Sequence, residues 1–166
     1  RARAIMVTNS EKLANLVSDE VERQLKLLPR ENIARPAIEN NSYIAVMDSV
    51  EDMFTVMNEV APEHLEIQLP DPMGYMSLVQ NAGSVFLGRY ASEPLGDYVG
   101  GTNHVLPTSG TARFSSPLGV YDFVKHTSFT QFTKERLEEV ATHITTLART
   151  EGLEAHARAI EVRFEK

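Results

Sequence analysis

Two segments of this 166-residue chain place titratable side chains where they could do chemistry. In the first, Glu63 and His64 stand side by side between a predicted helix and a predicted strand. A carboxylate and an imidazole can act as bases, one for water and one for an alcohol, which are the two tasks of a stepwise oxidation. The same pair is also typical of an exposed Glu beside a His at a helix end, and the spacing leaves both interpretations open.

The second segment is the glycine-rich stretch 96–108. Glycine lets the backbone approach a ligand closely. Asp97 and His104 offer the oxygen and nitrogen donors that a borderline metal such as zinc accepts. The chain contains no local zinc pattern such as His-Glu-x-x-His, so an ordered surface loop is the alternative interpretation.

The other histidines give weaker signals. His126 lies near a predicted helix end and His143 in an amphipathic helix, so both are expected on the surface. His156 is followed by the small residues Ala157 and Ala159, which leave room for a partner backbone to approach. The spacing of His156 alone favours a surface residue over a metal ligand.

Composition narrows the possible partners. The chain has no cysteine, which excludes disulfides and thiolate zinc sites, so a transition metal must be bound by His, Asp, Glu or Gln. The net charge of −7 argues against a nucleic-acid partner, because neutralising phosphates requires a surplus of Lys and Arg. No apolar run approaches the roughly 20 residues that span a bilayer, so no membrane partner is expected.

The first ninety residues alternate between strand and helix patterns. Thr8 and Glu11 have capping-box spacing and are predicted to open an amphipathic helix over 10–28 whose apolar stripe belongs to the core. Pro29 and Pro36 are expected to bracket a shorter helical piece. Further helices are expected after Asp48 or Ser49 and after Asp71-Pro72, and strands over 4–8, 43–47, 65–69 and 84–87.

This order predicts an α/β fold. Strands that alternate with helices favour a parallel sheet with helices on its faces, and we expect the parallel-sheet half of a Rossmann-like domain followed by a small helical C-terminal tail. Residues 88–119 hold six of the nine glycines and three prolines, which is typical of a long functional loop. Helices are expected near 117–126, 133–149 and 151–160. The predicted segments are a catalytic core over 1–118 and a tail over 119–166.

Several separated motifs stand in one order along the chain, at 61–66, 81–88, 96–98, 101–108, 113–116 and 119–123. Together they resemble the histidinol dehydrogenase family, and the similarity runs along essentially the whole chain. The resemblance implies oxidation of L-histidinol to L-histidine through the aldehyde, in two NAD-dependent steps at one zinc site. It therefore implies an oxidoreductase of histidine biosynthesis that works in the cytoplasm.

The resemblance also implies residue roles that the spacing does not give. Glu63 would activate water for the second oxidation, and His64 would take the alcohol proton in the first. Asp97 and His156 would be zinc ligands. The substrate would be bound by His64, Asp97, His104, Glu151 and His156.

The resemblance further implies a homodimer whose tail reaches the active site of the partner subunit. The NAD-binding part and two further zinc ligands of the family lie upstream of the matching region. We therefore expect this chain to be cut from a longer one and to be inactive alone. Two alternatives stay open, namely a related zinc- and NAD-dependent dehydrogenase of another polar alcohol, and a non-catalytic dimerising fragment.

Overall fold

A computed structural model describes residues 2–165 of the chain. It is a mixed α/β structure with short parallel strands, and it divides into two compact units. The first unit ends at Phe123 and the second begins at Val124.

The first unit opens with a parallel strand pair. Strand β1 (Ile5–Thr8) pairs with β2 (Tyr43–Val46), and the helices α1 (Glu11–Leu25) and α2 (Glu31–Asn41) lie between them in sequence. The hydroxyl of Ser10, and not that of Thr8, caps α1 by accepting a hydrogen bond from the backbone N–H of Leu13 at 3.2 Å. The expected capping box is therefore wrong, because the side chain of Thr8 instead accepts from the Ser10 N–H and shapes the turn before the helix.

The helices α1 and α2 depart from the expected pattern in two ways. Pro36 lies inside α2, since a helix tolerates a proline at the cost of one backbone hydrogen bond, and the helix continues to Asn41. Along α1, Ala14 and Leu25 are buried, whereas Leu13 and Leu16 are 45% and 55% exposed. The apolar stripe predicted as core is therefore only partly covered among the described residues.

A second parallel pair carries the main core. Helix α3 (Val50–Val60) begins at Ser49, whose hydroxyl accepts from the Asp52 N–H, and it precedes strand β3 (His64–Ile67). Strand β4 (Ser84–Leu87) pairs with β3 in the predicted direction. The buried side chains Phe54, Met57 and Ile67 form the core cluster, and partly buried apolar residues pack around it, namely Val50, Leu65, Leu69, Tyr75, Leu78, Val79, Val85 and Leu87.

The four strands form two separate sheets in residues 2–165, not the single sheet that the pattern favoured. Each sheet has two parallel strands, in the orders β1-β2 and β3-β4. Strand-helix alternation predicts parallel neighbours, but it contains no information on whether one pair continues into the next, because that depends on contacts distant in sequence.

Several helical segments of the first unit differ in type or length from those expected. A 3₁₀ helix, and not an α-helix, begins at Pro72 after the N-cap residue Asp71 and spans Pro72–Leu78. The predicted long loop contains a short helix α4 (Glu93–Tyr98) and a 3₁₀ turn at Thr111–Arg113. The helix expected near 117–126 is wrong, since only a 3₁₀ turn at Val120–Phe123 forms there.

The second unit is a helical hairpin of α5 (Lys134–Thr150) and α6 (Glu154–Glu161), as the periodicity predicted. Gly152 adopts φ +75° in the turn, a conformation that glycine reaches without steric cost. Ala148 and the fully buried Ala157 let the two helices approach closely. Arg149 of α5 also links the two helices by ion pairs to two glutamates of α6, Glu154 and Glu161.

Within residues 2–165, the helices are too short or too polar to cross a bilayer.

The core cluster predicts a graded loss of stability on truncation. Replacing the buried Phe54 by Ala should lower the free energy of unfolding by about 3–5 kcal/mol, because the lost contacts and the cavity add up. The matched truncation of Leu27, which is 70% exposed, should change it by less than about 0.5 kcal/mol. Guanidinium unfolding followed by circular dichroism measures both values. Equal effects of the two variants would show that Phe54 does not pack in a core.

Candidate functional site

The junction between α3 and β3 sets the position of Glu63 and His64. Ala61 ends α3 with φ +50°, a left-handed conformation that is uncommon outside glycine, and it is almost completely buried. Glu63 lies in the bend that follows, and His64 is the first residue of β3. The backbone that leads into the pair is therefore irregular, and both residues are half-buried.

Gly83 secures this junction from the side of β4. Its N–H donates to the Pro62 carbonyl at 2.9 Å, and the next N–H, of Ser84, donates to the Glu63 carbonyl at the same distance. A Cβ atom on Gly83 would lie 2.6 Å from the Glu63 carbonyl oxygen. The close approach of these two backbones therefore depends on a residue without a side chain.

Helix α4 lies over the face of the β3-β4 sheet that carries His64. Its N-cap residue Ser92 makes no side-chain capping bond, and a carboxylate oxygen of Glu66 on β3 accepts from the Glu93 N–H at 3.0 Å instead. A Cβ atom on Gly96 would lie 2.8 Å from the ring of Phe86 on β4. These two contacts fix α4 against the sheet.

This arrangement brings three titratable side chains together. His64, Glu93 and Asp97 each offer one potential metal-ligand atom, and these atoms lie within 4.8 Å of one another. All three residues are half-buried. The structure thus unites His64 and Asp97, two residues singled out from the sequence, and adds Glu93.

The proximity of the two carboxyl groups perturbs Glu93. Its hydrogen bond to the Asp97 side chain, followed by burial and by the negative charge of Asp97, raises the pKa of the Glu93 carboxyl. The charge of His64 acts in the opposite direction, and that of Glu66 adds a further increase of the pKa. The site therefore carries an excess of negative charge that a cation would neutralise.

The donor set suits zinc. Nε2 of His64 is buried and has no hydrogen-bond partner among the described residues, which is uncommon for a buried polar atom. An imidazole nitrogen and carboxylate oxygens are ligands that zinc accepts when thiolates are absent. The residues present therefore fit a divalent metal ion.

The remaining predicted site residues lie elsewhere. His104 is exposed in the irregular segment after α4 and does not belong to the three-residue cluster found within residues 2–165. Glu151, the C-cap residue of α5, and His156, on α6, are exposed residues of the second unit. Their roles stay predictions.

Glu93 is the site residue that sequence reasoning missed. Glu93 and Asp97 are four residues apart and therefore share one face of a helix. The local sequence Ser92-Glu93-Pro94 carries a helix-start signal, a serine with a proline just inside the helix. A helix of six residues has too little apolar periodicity to be recognised from the sequence.

Comparison with known proteins identifies the family of this chain. The family model described as histidinol dehydrogenase matches residues 1–164. Histidinol dehydrogenase of Lactiplantibacillus plantarum is 67% identical over 165 residues, which are 99% of this chain and 39% of the relative. The Streptococcus mutans histidinol dehydrogenase is 59% identical with the same coverage. The chain thus spans about two fifths of the length of these curated relatives.

A solved structure agrees with the sequence matches. The crystal structure of histidinol dehydrogenase from Elizabethkingia anophelis aligns with a TM-score of 0.83 at 37% sequence identity. The alignment covers 98% of this chain and 37% of that one.

The contact between Gly96 and Phe86 makes the seating of α4 sensitive to a single methyl group. Gly96→Ala should lower the free energy of unfolding by about 1–3 kcal/mol, because its Cβ would overlap the Phe86 ring and push α4 off the sheet. Gly119→Ala is the matched control, since its Cβ would meet nothing closer than 3.9 Å. Denaturant unfolding compares the two, and a Gly96→Ala variant as stable as the control would contradict the packing described.

Proposed function

Because this chain belongs to the histidinol dehydrogenase family, we propose that it carries the proton-transfer residues and part of the metal site for oxidation of L-histidinol to L-histidine. One observation carries the proposal. His64 follows Glu63 directly in the chain, and its buried Nε2 has no hydrogen-bond partner among residues 2–165. A ring nitrogen of His64 lies within 4.8 Å of a carboxylate oxygen of each acidic residue on α4, Glu93 and Asp97.

The two oxidation steps divide between the adjacent residues. In the first step the hydroxyl group of L-histidinol gives its proton to His64. The carbon that bears this group loses a hydride, which yields the aldehyde L-histidinal. In the second step Glu63 takes a proton from water as the water oxygen attacks the aldehyde carbon. Loss of a second hydride then gives the carboxylic acid, which releases its proton to become the carboxylate. A neutral imidazole suits the alcohol proton, and a carboxylate shielded from bulk water suits the water proton.

The cofactors supply what these side chains cannot. When bound, NAD takes each hydride, and zinc fixes the polar groups of the substrate next to the reacting carbon. Asp97 would hold the zinc ion together with His156, and His104 and Glu151 would contact the substrate. No residue of this chain is assigned to NAD.

The C-terminal tail would take part in subunit assembly. The hairpin of α5 and α6 would act in a homodimer and place Glu151 and His156 at the active site of the partner subunit. The segment over 1–118 would serve as the catalytic core, with the strand pairs as part of a Rossmann-like domain, and 119–166 as the tail. The proposed location is the cytoplasm.

The division of roles predicts two separable defects. The test protein is a full-length chimera, the Lactiplantibacillus plantarum enzyme with its matching segment replaced by this chain. His64→Asn should slow NADH formation from L-histidinol by about 10²–10⁴-fold and affect L-histidinal much less, because only the alcohol step needs that base. Glu63→Gln should slow oxidation of L-histidinal by a similar factor, since water is no longer activated.

The control for both variants is Glu51→Gln, a change at an exposed glutamate in the first turn of α3. It should leave both rates unchanged. Equal loss of both steps in the two variants would contradict the separate roles. Turnover of another polar alcohol in preference to L-histidinol by the unmodified chimera would contradict the proposed substrate.

The dimer proposal predicts complementation between inactive subunits. If the tail acts in the partner's site, a heterodimer of His64→Asn and His156→Ala subunits contains one site with both defects and one intact site. Random pairing of the two variants should then restore about a quarter of the unmodified NADH formation. Each variant refolded with itself is the control. Mixed subunits that stay as inactive as the separate variants would show that the tail acts within its own subunit.

A further inference from the structure

Arg113 is an exposed arginine that no step of the proposed reaction uses, although it opens one of the motifs singled out in the sequence. Its guanidinium group binds two backbone carbonyls that are distant from each other in sequence. One Nη atom donates to the carbonyl of Gly110 at 2.9 Å, and the other donates to the carbonyl of Glu59. The side chain therefore joins the irregular segment after α4 to the last turn of α3.

The last turn of α3 has no cation of its own. The final carbonyls of a helix have no partner within the helix and carry a partial negative charge, which a nearby cation stabilises. None of the residues in the last turn of α3 is basic. Arg113 supplies the positive charge from a position 54 residues later in the chain than Glu59, so the end of α3 depends on a distant side chain.

The segment that leads to Arg113 is compact and packs beside the junction between α3 and β3. Pro107 is buried, and two of its ring carbons would lie 3.1 and 3.2 Å from a Cβ atom on Gly83. The hydroxyl and the N–H of Thr111 both donate to the Thr108 carbonyl, at 2.7 and 3.0 Å. A side chain that starts from such a tight turn loses little additional freedom when it binds the end of α3.

The helix end that Arg113 binds leads directly to the proposed water base, Glu63. Only a short stretch separates them, and it contains the buried, left-handed Ala61. The half-buried side chain of Glu63 forms no hydrogen bond within residues 2–165, so the backbone sets the direction of its carboxylate. His64 is held differently, because it pairs with Ser84 in the β3-β4 sheet. Loss of the contact at the end of α3 should therefore displace Glu63 more than His64.

We propose that Arg113 is a positioning residue for Glu63, because its guanidinium group fixes the end of α3 and thereby the carboxylate that activates water in the second oxidation. The inference rests on the proposed role of Glu63 as the base for water. It assigns Arg113 no contact with the substrate, a cofactor or a metal ion. Arg113 affects the rate of aldehyde oxidation and not the binding of the aldehyde.

The test measures both oxidation steps in the full-length chimera. Arg113→Ala should lower kcat for L-histidinal by about 10- to 100-fold and leave KM within about twofold, because a displaced base slows the reaction without altering substrate contacts. The first NADH formed per site from L-histidinol, measured by rapid mixing, should stay within about threefold of the unmodified rate, since that step uses His64. Arg113→Lys should recover part of the lost rate, because its ammonium group can donate to one of the two carbonyls.

Arg23→Ala is the matched control and should change neither step, since Arg23 is an exposed arginine that pairs with Glu20 on α1. Slowing of both steps by the same factor in Arg113→Ala would overturn the proposal, because it would reveal a general loosening of the structure. Unchanged oxidation of L-histidinal would show that Glu63 needs no support from Arg113.

Glu63→Gln in the same assay separates this inference from the proposed function. Unchanged oxidation of L-histidinal in that variant would overturn the base role of Glu63 itself. A slow Glu63→Gln variant beside a fully active Arg113→Ala variant would leave the base role intact and overturn only the positioning role of Arg113.

Discussion

The pairing of β3 with β4 divides the residues of β3 between two environments, and both the core and the site depend on this division. Successive side chains of a strand point to opposite faces. Ile67 and Leu65 therefore pack with Phe54 and Met57 of α3, whereas His64 and Glu66 face α4. A slip of one residue in the register would exchange these two sets. The close backbone approach at Gly83 holds the start of β4 against the residues that precede β3.

Acidic side chains position α4 on the face of the β3-β4 sheet that carries His64. Glu66 uses its carboxylate to hold the start of α4, which has no capping side chain of its own. That contact delivers Glu93 and Asp97 to His64 and leaves more acidic than basic groups at the site. The Asp97 side chain held this close disfavours ionisation of Glu93 and raises the pKa of its carboxyl group. A bound cation or a proton would reduce this repulsion.

Local patterns predicted the elements of this chain better than their assembly. Strand β4 was predicted with its observed bounds because an apolar run ends at Gly88, and the hairpin of α5 and α6 followed from helical periodicity. The separate sheets were not predictable, since strand pairing joins residues distant in sequence. The motifs singled out His64 and Asp97, but their proximity depends on the seating of α4 by Glu66 and Phe86. Glu93 escaped notice because its helix is too short to show a period.

Helix α4 contributes two of the three clustered side chains, yet it has only six residues and is held to the sheet at two points, Glu66 and Phe86. Such a segment is the kind that opens locally without unfolding of the rest, so its amide protons should exchange with solvent before those of β3 and β4. A ligand that binds only the closed form adds its binding free energy to the closing of α4. Occupancy of the site by a ligand and the order of α4 are therefore thermodynamically linked. An ion that binds weakly would leave Glu93 and Asp97 mobile.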